Sequence, residues 1–247
     1  MNRKSKRTQV RERQIVWTVG IETSGREGSV ALLQGDELVA ERSLSHEGRR
    51  HARTLVHELQ QMLREARTSP QECELLAVSI GPGSFTGLRV GVVCAKTWAY
   101  AIDCPVVGVN TLHAIASAVD EPVERVDVVA DAQRGDLFLG QYQRDEQGEW
   151  QPVSDVRIVS SEGWLNQLSP GDSVTGPAME QLKLRLPNSV TILPEAIWHP
   201  SAAIVARVGR TMAQAGETLD HWSLKPLYLR KSAAEEKAET ESRPSSS

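Results

Sequence analysis

Eleven residues, Gly81-Pro82-Gly83-Ser84-Phe85-Thr86-Gly87-Leu88-Arg89-Val90-Gly91, constrain the fold of this chain more than any other stretch. The apolar run Leu75–Ile80 before them reads as a buried strand, and the Ala-rich apolar run after them, to Ile102, as a buried helix. The glycines therefore occupy a strand-to-helix turn, where Gly81 and Gly83 allow backbone angles closed to other residues and Pro82 fixes one φ. Ser84 or Thr86 supplies an N-cap oxygen. A glycine-rich lead into a helix start favours an anion, which makes Gly81 and Gly83 candidates for a phosphate cradle. The same composition also serves turns that bind nothing. The Gly-Lys-Ser/Thr ending of a P-loop is absent, and so is the Rossmann glycine spacing.

Around this turn the elements alternate. Ile15–Val19, Ser29–Leu33 and Leu38–Ser43 read as three strands of a meander, with Gly35-Asp36 as a tight turn. A helix over about Arg49–Arg67 carries Ala52, Leu55, Leu59, Met62, Leu63 and Ala66 on one face and stops before Pro70. Strand 75–80 and the turn helix follow, then strand Val106–Val109 and a short helix to about Ala118, capped by Asn110 or Thr111. The second part repeats the theme. Val126–Ala130, Leu137–Tyr142 and a segment around Val153–Val159 read as strands. They are followed by a helix from Ser161, a strand at Val174-Thr175-Gly176, a helix Pro200–Ala215 and an extended piece Pro226–Leu229. Two β-β-β-α halves with mixed sheets describe a duplicated α/β protein.

The expected organisation is a basic disordered tail over 1–13, a first half over 14–110, a smaller second half over 111–231 and a disordered tail over 232–247. Helix 200–215 is free to pack back on the first half. With 247 residues, 40% of them hydrophobic, and a net charge of -4, the chain has enough apolar content for proper cores and no global nucleic-acid-binding charge. Cys73, Cys94 and Cys104 show no metal-ligand spacing and fit a reducing, cytoplasmic setting as small hydrophobes. No apolar run is long enough to span a membrane.

Five stretches occur in an order that resembles the TsaB family of tRNA threonylcarbamoyladenosine biosynthesis proteins. They are Gly20-Ile21-Glu22-Thr23-Ser24 with Ser29-Val30-Ala31-Leu32, the glycine turn, Gly108-Val109-Asn110-Thr111-Leu112, Asp131-Ala132-Gln133-Arg134-Gly135-Asp136, and Pro226-Leu227-Tyr228-Leu229-Arg230. The likeness spans about 15–231. It implies the actin-like ATPase fold, built of two ribonuclease-H-like halves. It also implies a part in threonylcarbamoylation of adenosine 37 in tRNAs that read ANN codons, as the non-catalytic partner of a TsaD-type subunit working with a TsaE-type ATPase. Contact with tRNA would then be indirect, and ATP or ADP is a candidate at the interface of the complex. The alternative is a stand-alone actin-like-fold ATPase or carbamoyl transferase.

The residues argue against catalysis by this chain. TsaD-like relatives carry a metal-binding HxxxH that falls, in register, on Thr111 and Ile115, and neither side chain replaces an imidazole. His113 lies between them without a partner one turn away. His46-Glu47-Gly48-Arg49-Arg50-His51 is one residue too long for HExxH, and His57 stands apart. Glu22 occupies the place where fold relatives put an acid near phosphate and magnesium, which makes it a further nucleotide candidate. Asp131, Arg134 and Asp136 read either as a turn network or as a contact. No metal site is expected.

The turn helix, by contrast, is apolar nearly all round. Phe85, Leu88, Val92, Ala95 and Ala99 make one stripe, with Val90, Val93 and Trp98 off it. With Leu55, Leu59 and Met62 of the preceding helix, that stripe is the expected partner interface, through a helical bundle with the TsaD-type subunit or a homodimer in its absence. Complete burial within the chain is the competing expectation.

Overall fold

The structure is a computed structural model that describes residues 17–44 and 51–230, with backbone alone for 51–53. The terminal segments read above as tails, and the His46–Arg50 part of the histidine cluster, lie outside the described residues.

The first sheet contains β1 (Trp17–Glu22), β2 (Ser29–Gln34), β3 (Glu37–Ser43), β4 (Leu75–Gly81) and β5 (Val106–Asn110) in the order β3-β2-β1-β4-β5. β1 pairs antiparallel with β2 and parallel with β4, and β4 pairs parallel with β5. The continuous apolar runs of β4 and β5 thus become strands covered on both faces. Residues alternate between two cores. Val30, Leu32, Leu76 and Val78 face α1 (His51–Glu65) and α2 (Phe85–Ile102), with Leu55, Leu59, Met62, Val92, Ala95 and Ala99 buried against them. Ala31, Leu33, Ala77, Val107 and Val109 face the opposite way.

The opposite face is covered by α6 (Ala202–Gln214), the last helix among the described residues, so helix 200–215 packs on the first sheet. Its approach depends on two glycines. A Cβ on Gly20 would lie 2.1 Å from the Ala202 carbonyl oxygen, and one on Gly209 would lie 2.4 Å from the Ala77 Cβ.

Between the halves runs α3 (Thr111–Ala116), capped by Asn110, whose side-chain oxygen accepts from the N–H groups of Leu112 and His113. The second sheet has β6 (Arg125–Gln133), β7 (Asp136–Arg144), β8 (Trp150–Pro152), β9 (Arg157–Ser160), β10 (Ser173–Thr175) and β11 (Thr191–Ile192). Its order is β11-β10-β6-β7-β8, with β9 also on β7. The single strand expected around 153–159 is two short ones. Pro152 ends the first, the Val153 N–H makes a last bond to the Gln141 carbonyl, Ser154 to Val156 leave the ladder, and β9 rejoins β7 at Leu139↔Arg157. α4 (Ser161–Gln167) starts at its Ser160 cap, and α5 (Met179–Leu182) is a single turn too short for any periodicity to announce it.

Both sheets share one order: the hairpin strands on one side, the first strand in the middle, two parallel strands beyond. The duplication is therefore topological. α3 touches both sheets, β4 and β5 as well as β6, β7 and β8, and α6, from the second half, lies on β1, β2, β4 and β5 of the first.

Candidate functional site

The glycine turn lies directly on the loop that follows β1. The Ser84 N–H donates to the Ser24 carbonyl oxygen at 2.7 Å, and the Thr23 hydroxyl donates to the Gly87 carbonyl oxygen at 2.8 Å. A Cβ on Gly83 would sit 2.5 Å from the Ser24 oxygen, one on Gly87 1.9 Å from the Thr23 oxygen and one on Gly91 2.3 Å from the Thr23 hydroxyl. Gly81, at φ 115, faces Leu88 and the Leu227 carbonyl, which accepts no phosphate. Ser84 caps α2 by accepting from the Gly87 N–H at 3.3 Å. The smallness of Gly83 is thus required by the Ser24 backbone, and that of Gly81 by Leu88 and the Leu227 carbonyl. Their smallness serves close packing instead.

Glu22 closes the same loop. It is completely buried, and its Oε1 accepts from the Ser24 N–H and the Ser24 hydroxyl, both at 2.5 Å, and from the Gly25 N–H at 3.3 Å. Its Oε2 has no hydrogen-bond partner among the described residues. Burial pushes this carboxyl above its ordinary value, and donors from Ser24, Ser79 and Gly25 offset that only in part. The acid points into its own hairpin, so a metal–nucleotide has no approach to it in this conformation.

The other candidates for catalysis are quiet. Thr111 and Ile115 are buried side chains of α3. His113 Nε2 bonds the Trp150 carbonyl at 2.7 Å, its ring stacks on Tyr142 at 5.5 Å, and burial lowers its pKa. His57 is exposed on α1. Burial pushes the Cys94 thiol up to about 11 and those of Cys73 and Cys104 up to about 12, so none is a thiolate at neutral pH. Among the described residues no three His, Cys, Asp or Glu side chains are grouped to hold a metal ion. The Asp131–Asp136 turn is a network: Asp131 accepts from the Gln133 N–H at 2.7 Å, and Asp136 pairs with Arg230 at 2.5 Å. Arg230 also donates to the carbonyls of Ala132 and Gln133, tying the segment beyond α6 to this turn.

One surface stands out. α1 and α2 lie side by side, and between them runs an open apolar groove of about 690 Å³. The expected interface residues are mostly beneath it. Leu88, Val92, Ala95, Ala99 and Met62 are at most 3% exposed, because the sheet already covers that stripe. Leu55 and Leu59 form part of the groove floor, and Phe85 is half-buried, stacked on Tyr228 at 5.0 Å with the Arg89 guanidinium 4.0 Å above its ring. The groove's open wall is the set that the sequence placed off the stripe, Val90, Val93 and Trp98, joined by Cys94 and by Val56 from α1. Val56 and Val93 are 55% and 60% exposed. A helix apolar on every side carries the signal for this second face, but sequence alone cannot say which side the sheet takes.

The family model described as tRNA N6-adenosine threonylcarbamoyltransferase, TsaD, matches residues 38–158. The Bacillus subtilis (strain 168) tRNA threonylcarbamoyladenosine biosynthesis protein TsaB is 30% identical over 154 residues, covering 62% of this chain and 66%, just under two thirds, of that protein. Its Escherichia coli (strain K12) counterpart is 29% identical over 223 residues, 87% of this chain and 95% of that protein. Among solved structures, YeaZ from Pseudomonas aeruginosa superposes with a TM-score of 0.74 at 23% identity, over 86% of this chain and 99% of its own, a likeness that concerns the fold.

Proposed function

Because the chain belongs to the TsaB family and has the actin-like ATPase fold, we propose that it serves tRNA threonylcarbamoyladenosine biosynthesis as a non-catalytic subunit. In this reading it binds a TsaD-type catalytic subunit and makes it competent to modify adenosine 37 of tRNAs that read ANN codons. A TsaE-type ATPase completes the assembly, and contact with tRNA is indirect. The observation that carries the reading is the α1–α2 groove: a long, almost wholly apolar trough on a helix pair whose inner faces are already satisfied by the sheet. Burying each of Val56 and Val93 against a partner helix contributes on the order of 1–2 kcal/mol. The inward-turned Glu22 supports the non-catalytic part, since its carboxyl is engaged by Ser24 and Gly25.

The test is light scattering after size exclusion, mixing this chain with the TsaD-type subunit of the same organism. Leu88 is no place for a charge, being 1% exposed, whereas Val93→Glu alters the groove and spares the core. A heterodimer formed by the wild type and lost in a folded Val93→Glu variant is the expected result. No heterodimer between two folded proteins would overturn the reading. Steady nucleotide turnover by the chain alone would favour the stand-alone ATPase instead, and a homodimer broken by the same variant would assign the groove to self-association.

A further inference from the structure

The exposed stripe of α2 does not end with the groove. Tyr100 lies two turns beyond Val93, about 20° away around the helix and roughly 10 Å further along it. It is 65% exposed and meets two more rings: His221 at 5.2 Å and Trp222 at 5.9 Å, with the latter pair 4.9 Å apart. Trp222 is 73% exposed yet held on a built turn. Asp220 accepts from the Trp222 N–H at 2.8 Å, the Ser223 N–H at 3.2 Å and the Ser223 hydroxyl at 2.8 Å. Lys96 of α2 donates to the carbonyls of Trp222 and Leu224 at 3.3 and 3.1 Å, and Leu224 is buried in the core under α1 and α2. A large aromatic held outward at low entropic cost is how binding hot spots are built.

Charge says what such an anchor receives. The carboxylates of Asp103, which caps α2, and Asp220 lie at this end, together with the negative end of the helix dipole, and the last turn of α2 carries no basic residue. Lys96, on this side of α2, is committed to the two carbonyls. At the other end of the groove stands Arg89, stacked on Phe85 and donating to the Tyr228 hydroxyl at 3.0 Å. The trough is thus positive at one end, acidic and aromatic at the other. We propose that the Tyr100–His221–Trp222 cluster is a cation-accepting anchor for the partner that fills the α1–α2 groove, seating an arginine or lysine of that partner's docked segment against the rings. The inference rests on the groove reading above and adds to it the chemistry and direction of the docked segment.

The experiment is a titration of the full chain against the TsaD-type subunit, with folding of each variant checked by circular dichroism. Trp222→Ala is expected to weaken binding about ten- to a hundredfold. Trp222→Phe, which keeps a π face, should stay within about threefold, while Trp222→Leu, apolar without one, should lose about tenfold. Leucine binding as well as phenylalanine would overturn the cation assignment. Alanine binding like wild type, with Val93→Glu still abolishing the complex, would overturn the anchor and leave the groove standing. Undiminished binding by Val93→Glu, or none by the wild type, would remove both.

Discussion

Glu22, Thr23 and Ser24 show how a residue pattern can keep its letters and change its use. An acid at the end of a first strand and glycines at a helix start are what a nucleotide site is made of, and here they are pressed against each other. Gly87 and Gly91 are small because Thr23 is within reach of their Cα atoms. Gly87→Ala should therefore destabilise by about 1–3 kcal/mol, although alanine is the better helix former by roughly 1 kcal/mol, and a thermal melt would show it. Glu22 makes a pH prediction. Its folded pKa lies above its unfolded one, so its contribution favours the folded state most below the ordinary carboxylate range and is lost as pH rises through the folded value. Glu22→Gln should accordingly flatten the fall in melting temperature as pH rises above the ordinary carboxylate range. An unchanged slope would show that the carboxyl is ionised in the folded protein throughout.

For a whole element, α2 marks where legibility stops. Its limits, its cap at Ser84 and its excess of apolar residues all follow from the sequence, and its orientation does not. Leu88, Val92, Ala95 and Ala99 versus Val90, Val93, Cys94 and Trp98 are two apolar stripes of similar strength, and only β4 and β1 beneath decide which is inner. The two stripes should respond differently to charge. Leu88→Glu is expected to cost more than about 4 kcal/mol, by burying an unpaired carboxylate, and to leave little folded protein. Val93→Glu should shift stability by no more than about 0.5 kcal/mol while removing partner binding. Similar melting curves for the two variants would contradict the assignment of faces. α6 has an equally plain dependence: Gly209→Val would drive branched atoms into Ala77 and should lift the helix from the sheet.

Taken as a whole, the molecule is held together by exchange. α6, from the far end of the chain, covers the second face of the first sheet, and α3 serves β6–β8. A chain ending at residue 201 would bare Ala31, Leu33, Ala77, Val107 and Val109 together. We expect that truncation to be insoluble or to bind hydrophobic dyes, whereas independent halves would leave the first half soluble. The strap from Asp220 to Arg230 is the other long-range tie, bonding α2 through Lys96, β4 through the Leu227 N–H on the Ile80 carbonyl, and the 131–136 turn through Arg230. The two sheets thus share α3 and the strap.

The sequence by itself determined the kinds and order of most elements, the duplicated plan and the family pattern, because these rest on local periodicity, caps and turn residues that act within a few positions of the chain. It also placed Glu22 and the glycines at the right corner of the first sheet. Tertiary structure alone decided that Gly83, Gly87 and Gly91 pack directly on Thr23 and Ser24, that the outer and not the inner stripe of α2 is open, and that Trp222 stands beside Tyr100. Each of these depends on how closely segments distant in sequence approach one another, and a close approach is set by the shape of the packed neighbours, which no local pattern encodes.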